Sequence, residues 1–190
     1  MLLDEPFGAL DAITRQQVRN ELADMLTTLQ LPTLLVTQAF EDASALAPII
    51  GVLDRGRLVQ LATPSVLIRA PASVTVAALT GANVVEGIAV LSPSGSIVRL
   101  RGGGELVSST PAEGPVHIAL HPWELGLADP VSCGLTDSVV SVHDDLGALL
   151  VRFTRFTVRT PLGSRDRRAI APGATFGLRA APTDVRVLLP

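Results

Sequence analysis

Four side chains stand where chemistry could be done. Asp4 and Glu5 close the apolar start Met1-Leu2-Leu3, Asp11 follows Pro6 and Gly8, and Gln38 follows the apolar run Leu34-Leu35-Val36. Carboxylates at the end of a buried strand are costly unless they are paired or hold a cation. Adjacent acids in that position suit a divalent ion and a water that must be polarised. A strand running out into a loop, where acids and proline serve the turn, explains Asp4-Glu5 better when the pair is taken alone. Asp11 has its own ordinary alternative, the N-cap of a following helix.

The longer string decides between them. "LLDEPFGALD" resembles the Walker B segment and D-loop of ABC transporter ATPases. "LLVTQAFEDASALA" is similar to that family's switch strand and the helix after it, and "VLDRGRLVQLATPSVLIRAPAS" to the hairpin and helix that close its nucleotide-binding domain. The resemblance covers roughly residues 2–80. It implies that Asp4 is the magnesium-associated acid, Glu5 the catalytic base, and Asp11 the D-loop acid that meets the partner subunit. Gln38 falls at the place of the switch histidine, which contacts the terminal phosphate and attacking water. The family's cofactors, ATP and Mg2+, would belong to a full-length parent. So would its partners: a second ATPase subunit, commonly a copy of the same chain, and membrane permease subunits. The implied location is cytoplasmic, at the inner face of the cell membrane.

Three departures limit that inference. No GxxxxGK[ST] loop, whose backbone N–H groups would cradle phosphates, occurs in the sequence. All fifteen basic residues are arginine, so no degenerate form of it can supply a lysine. The Q-loop and LSGGQ-type signature are also missing. Finally, glutamine keeps hydrogen-bonding capacity but carries neither proton nor positive charge. The expectation is the C-terminal part of a longer subunit, inactive alone, with hydrolysis in the parent weakened by Gln38.

The elements that must position these groups follow from periodicity. Val18, Leu22, Met25, Leu26 and Leu29 form one helical face over residues 12–30, which Pro32 ends. Thr33–Thr37 reads as a buried parallel strand, and a short helix follows over residues 41–47. Residues 49–53 and 58–61 flank the hairpin signal Asp54-Arg55-Gly56-Arg57, and Thr63-Pro64 and Ser73 read as helix starts. Beyond Asn83 short extended runs alternate with Gly, Pro and Ser turns, as in a small barrel or sandwich. The expected fold class is α/β plus β. An incomplete α/β segment over 1–82 precedes a β-barrel-like domain over 83–190, which divides further into modules 83–130 and 135–190.

The second region resembles the OB-like TOBE extension of importer ATPases, through "TGANVVEGIAV", "ALHPWELGL" and "IAPGATFGLRAAPTDVRVLL". The forms "HPWEL" and "GANVVEG" lean toward the molybdate or sulfate branch. An oxyanion ligand would find cations and hydroxyls at Arg152, Thr154, Arg155 and Arg179, although arginine on a barrel more often serves as solvated surface or edge guard. The alternative function is therefore a non-catalytic anion-sensing or dimerisation module. Two segments ending in Pro-x-acid-aliphatic, Val116–Leu125 and Thr175–Val185, suggest an internal repeat, with chance similarity between hairpins as the competing explanation.

Composition excludes other classes. Charged residues are 17% and apolar residues 47%, a composition that builds packed cores. A net charge of −3 with 3% aromatics argues against nucleic acid as partner. No secretory leader pattern opens the sequence, and the lone Cys133 suits a reducing compartment. His117, His121 and His143 are too dispersed for a metal motif. Trp123 is expected as a barrel plug or interface residue. Arg101-Gly102-Gly103-Gly104-Glu105 reads as a glycine turn, and Arg165, Arg167 and Arg168 with Asp166 as a loop.

Overall fold

A computed structural model describes residues 1–161 and 169–189. The arginine cluster 165–168 lies outside the described residues. The chain divides into two compact units, Met1–Pro71 and Ala72–Pro190, and is mixed α/β in the first and β-rich in the second.

In the first unit β1 (Leu2–Asp4) and β2 (Leu34–Val36) form a parallel pair, with Leu2 opposite Leu34 and Asp4 opposite Val36. The connection is α1 (Ala12–Leu29), the crossover that a parallel pair requires. It starts at Asp11 and stops at Gln30, whose N–H still donates to the Leu26 carbonyl and whose left-handed φ of 50° then turns the chain out of the helix. α2 (Phe40–Leu46) follows β2, and Phe7 anchors the loop between β1 and α1 by being buried. β3 (Ile50–Asp54) and β4 (Arg57–Ala62) make the expected hairpin. Its turn residues Arg55 and Gly56 have φ of 48° and 75°, the two left-handed positions of a type I′ turn. α3 (Pro64–Arg69) is capped by the Thr63 hydroxyl, which accepts from the Val66 N–H.

The expected apolar face of α1 is only half covered. None of its residues is buried, and Leu29 is 52% exposed. Parallel strands are normally covered on both faces, yet Leu2 and Leu34 are 78% and 61% exposed.

The second unit begins with α4 (Val74–Leu79), capped by Ser73. Ala77 packs against Ala119 and Leu188, so this helix belongs with the β-rich unit. The division of the chain therefore falls earlier than the expected change at residues 82–83. Two five-stranded sheets follow. One contains β5 (Asn83–Ser92), β6 (Gly95–Leu100), β7 (Glu105–Ser108) and β8 (Gly114–Leu120). The other contains β10 (Thr136–Asp145), β11 (Ala148–Phe153), β12 (Thr157–Pro161) and β13 (Thr175–Arg179). The last strands are exchanged: β9 (Gly126–Ala128) leaves the first set to pair with β13, and β14 (Arg186–Leu188) returns to pair with β8. The two Pro-x-acid-aliphatic segments are the turns at which the chain crosses, so the repeated sequence corresponds to a repeated topology.

Both sheets contribute to one core, with Val98, Leu100 and Ile118 from one and Val151, Phe153, Val158 and Leu178 from the other. Trp123 is not a plug of this core. It lies in the crossing turn, 55% exposed, with its ring stacked on the buried His121 at 4.5 Å.

Candidate functional site

The site-bearing loop begins where β1 ends. The Glu5 N–H donates to the Val36 carbonyl at 2.9 Å, extending the ladder one residue beyond Asp4. Glu5 then takes a left-handed φ of 44°, a conformation that costs a non-glycine residue about 1 kcal/mol. This departure breaks the alternation that would otherwise continue along the strand. The Gly8 N–H closes back on the Glu5 carbonyl at 3.1 Å, and a β-carbon on Gly8 would sit only 3.4 Å from that oxygen.

A cleft of about 410 Å³ opens beside this loop. It is lined by Glu5, Phe7 and Gly8 from the loop, Arg15 from α1, and Thr37, Gln38, Ala39 and Asp42 from the segment after β2. Two of the expected site residues, Glu5 and Gln38, are thus brought together from opposite ends of α1. Asp4 is exposed at the strand end and is not among the lining residues. Asp11 is engaged elsewhere. Its Oδ1 accepts from the Ile13 and Thr14 N–H groups, and its Oδ2 from the Thr14 hydroxyl at 2.7 Å. These bonds, the Thr14 hydroxyl first, hold its carboxyl below the usual value.

Three residues that sequence reasoning passed over support the walls, Arg15 and Asp42 within the lining and Arg19 behind it. Arg15 Nη2 donates to the Phe7 carbonyl at 3.3 Å. Arg19 Nη1 donates to Asp42 Oδ1 at 3.1 Å, across the contact of α1 with α2. Asp42 is 2% exposed, so its charge requires this partner. The available signal was the spacing of Arg15 and Arg19, one helical turn apart on the same face.

The oxygen donors here suit magnesium by type, since Glu5, Thr37 and Gln38 offer carboxylate, hydroxyl and amide oxygens. Among the described residues no cluster of three His, Cys, Asp or Glu groups forms a metal cage. Mg2+ does not need one, because it keeps waters and takes substrate phosphates as ligands.

The four anion candidates of the second unit are dispersed. Arg152 is exposed on β11 opposite Ser141, whereas Arg179 ends β13 opposite Gly126. Thr154 is exposed, its N–H bonded to the Ser138 carbonyl. The Arg155 guanidinium is already used: it donates to the carbonyls of Gly103 and Thr136 and lies 3.7 Å from Asp137. The glycine turn that it caps is the Arg101–Glu105 segment, with Gly102, Gly103 and Gly104 all at positive φ.

No family model matches the chain. An Fe(3+) ions import ATP-binding protein, FbpC 2 of Rhodococcus jostii, is 33% identical over 186 residues, 94% of this chain and 52% of that protein. The molybdate/tungstate import ATP-binding protein WtpC of Thermococcus kodakarensis is 38% identical over 85% of this chain and 52% of its own length. The sulfate/thiosulfate import ATP-binding protein CysA of Xanthomonas campestris is 39% identical over 66% of this chain. This chain is a homologue of the ATP-binding subunits of ABC importers. It spans about half the length of the iron and molybdate/tungstate importer subunits that it matches. Among solved structures, a molybdate-bound form of the cytoplasmic molybdate-binding protein ModG aligns with a TM-score of 0.48 at 15% identity, over 58% of this chain and 98% of that one. No helix among its described residues is long and apolar enough to cross a membrane.

Proposed function

We propose that this chain is the C-terminal part of the ATP-hydrolysing subunit of an ABC importer, contributing Walker B, D-loop and switch segments and a TOBE-type regulatory domain. The observation that carries the reading is the meeting of Glu5 and Gln38 in one cleft at the carboxyl ends of parallel β1 and β2. In open α/β sheets that crevice is where ligands bind. When bound, Mg2+ would screen the phosphate charge; the family resemblance gives Asp4 to its shell, while the oxygens that line the cleft are those of Glu5, Thr37 and Gln38. Glu5 polarises the attacking water, and Gln38 orients it by hydrogen bonding without taking its proton. The half-covered α1 and the exposed faces of β1 and β2 support a further part of the domain packing there. The permease subunits, a second ATPase subunit and a cytoplasmic, membrane-peripheral position belong to the same reading.

The chain by itself turns over no ATP on this reading, because it has no lysine-bearing phosphate loop. In the whole subunit Glu5→Gln lowers magnesium-dependent ATP turnover by roughly a hundredfold while leaving nucleotide binding in place. Turnover unaffected by Glu5→Gln overturns the assignment. The solute we place among oxyanions of the molybdate or sulfate type, on the forms "GANVVEG" and "HPWEL" and on the names of the molybdate/tungstate and sulfate/thiosulfate relatives. Solute-dependent ATPase of the assembled importer in vesicles, with molybdate, sulfate and ferric iron compared, tests it; stimulation by iron alone rejects it.

A further inference from the structure

The cleft is built from two walls that have no hydrogen bond to each other beyond the end of the β1–β2 ladder. One is the loop carrying Glu5, Phe7 and Gly8; the other is the segment carrying Thr37, Gln38 and Asp42. α1 lies between them in sequence and reaches both. Arg15 bonds the carbonyl of Phe7, and Arg19, one turn later, pairs with the buried Asp42. The Nε atoms of both arginines are buried without a hydrogen-bond partner, so each guanidinium acts through the single terminal nitrogen that touches its wall.

We infer that Arg15 and Arg19 are positioning residues, two tethers that set the Glu5 wall and the Gln38 wall of the cleft independently from one helix face. The division of labour follows from the partners. A carbonyl on a loop buried only at Phe7 fixes where that loop turns. A carboxylate in the first turn of α2 fixes the helix whose N-terminal approach carries Gln38. Asp42 is suited to that post, since an acid there also meets the positive end of the helix. The hydrogen bonds of the two arginines go to Phe7 and Asp42, and not to Glu5 or Gln38. The inference rests on the functional reading for its consequence in catalysis, but not for its geometry.

The test has two arms. In the chain as it stands, amide hydrogen exchange is followed in Arg15→Gln, Arg19→Gln and Asp42→Asn. Arg15→Gln is expected to speed exchange at least fivefold at residues 5–8 and to leave residues 37–42 within twofold. Arg19→Gln and Asp42→Asn are expected to do the reverse. Asp42→Asn keeps the shape and an acceptor oxygen, so it reports on the pairing where Arg19→Gln unfolds the unit. Loosening of both walls by either change, or of neither, overturns the inference. In the whole subunit, the same changes lower kcat for Mg-ATP at least tenfold with KM within twofold, and Arg19→Lys restores part of the loss. Unchanged kcat in folded variants also overturns it. Absence of turnover in the unaltered subunit defeats the functional reading instead, and the exchange pattern then decides the tethers alone.

Discussion

Glu124 and Arg186 meet as a two-pronged pair, Arg186 Nη1 donating to Glu124 Oε2 at 2.7 Å and Nη2 to Oε1 at 2.6 Å. The pair joins the first crossing turn to β14, the strand that comes back from the second set. The same Oε2 accepts the His121 N–H at 2.6 Å, so the carboxylate also closes its own turn. Both side chains are largely buried, at 14% and 12% exposure, which makes this the pair that locks the strand exchange.

Removing one partner leaves the other buried and uncompensated. Arg186→Met is expected to lower the stability of the β-rich unit by roughly 2–3 kcal/mol, as for a charged hydrogen bond lost in a partly buried site. Urea unfolding followed by the fluorescence of Trp123, the only tryptophan, measures it. A loss under about 0.5 kcal/mol, the size of an exposed pair, contradicts the role given to it.

A pH dependence follows from the same pair. Burial alone pushes the Glu124 carboxyl up, but the Arg186 guanidinium and the His121 N–H more than offset it and hold it below its ordinary 4.5. A carboxyl depressed in the folded state contributes stability that is present above its unfolded value and fades as pH falls through the folded one. Stability of the β-rich unit should therefore drop more steeply below pH 4.5 in the native chain than in Glu124→Gln. Parallel acid-unfolding curves for the two proteins reject the assignment.

Gly95 starts β6 with a φ of 137°, and a β-carbon there would lie 2.1 Å from the Ser108 carbonyl oxygen. No rotamer adjustment relieves a clash between two backbones. Gly95→Ala is expected to cost roughly 3 kcal/mol or more. A melting temperature unchanged by the substitution shows that the β6–β7 approach is looser than described.

Gln38 predicts a slow enzyme. In the whole subunit Gln38→His should raise turnover roughly tenfold or more, since an imidazole adds a group able to carry the proton that an amide cannot. Steady-state ATPase at matched protein concentration measures it, and unchanged turnover removes Gln38 from the rate-determining step.

Local structure was legible in the residues. Asp11, Thr63 and Ser73 cap helices because their side-chain oxygens can reach the first free N–H groups, whatever lies around them. Arg55-Gly56 turns a hairpin because glycine accepts the left-handed position. The residues to watch, Glu5 and Gln38, were also marked by their order along the chain, and both line the cleft. The apolar period of α1 was read correctly as helix. Its burial was not, because period fixes which face is apolar and leaves open what covers it.

The remainder required the tertiary structure. Which sheet β9 and β14 join depends on two sheets closing over one core, a matter of register between residues far apart in sequence, such as Leu127 with Leu178. An arginine's type gives no sign of its task. Arg152 and Arg179 lie at separate places on the second sheet, Arg155 caps a turn, and Arg19 neutralises an acid 23 residues away. Long flexible cations take whichever acceptor folding brings near them. The sequence by itself thus determined the helices and the hairpins, and it marked Glu5 and Gln38 as the residues to follow. Only the fold decided that Glu5 and Gln38 share a cleft, because that meeting depends on a parallel strand pair whose partners are set by long-range packing.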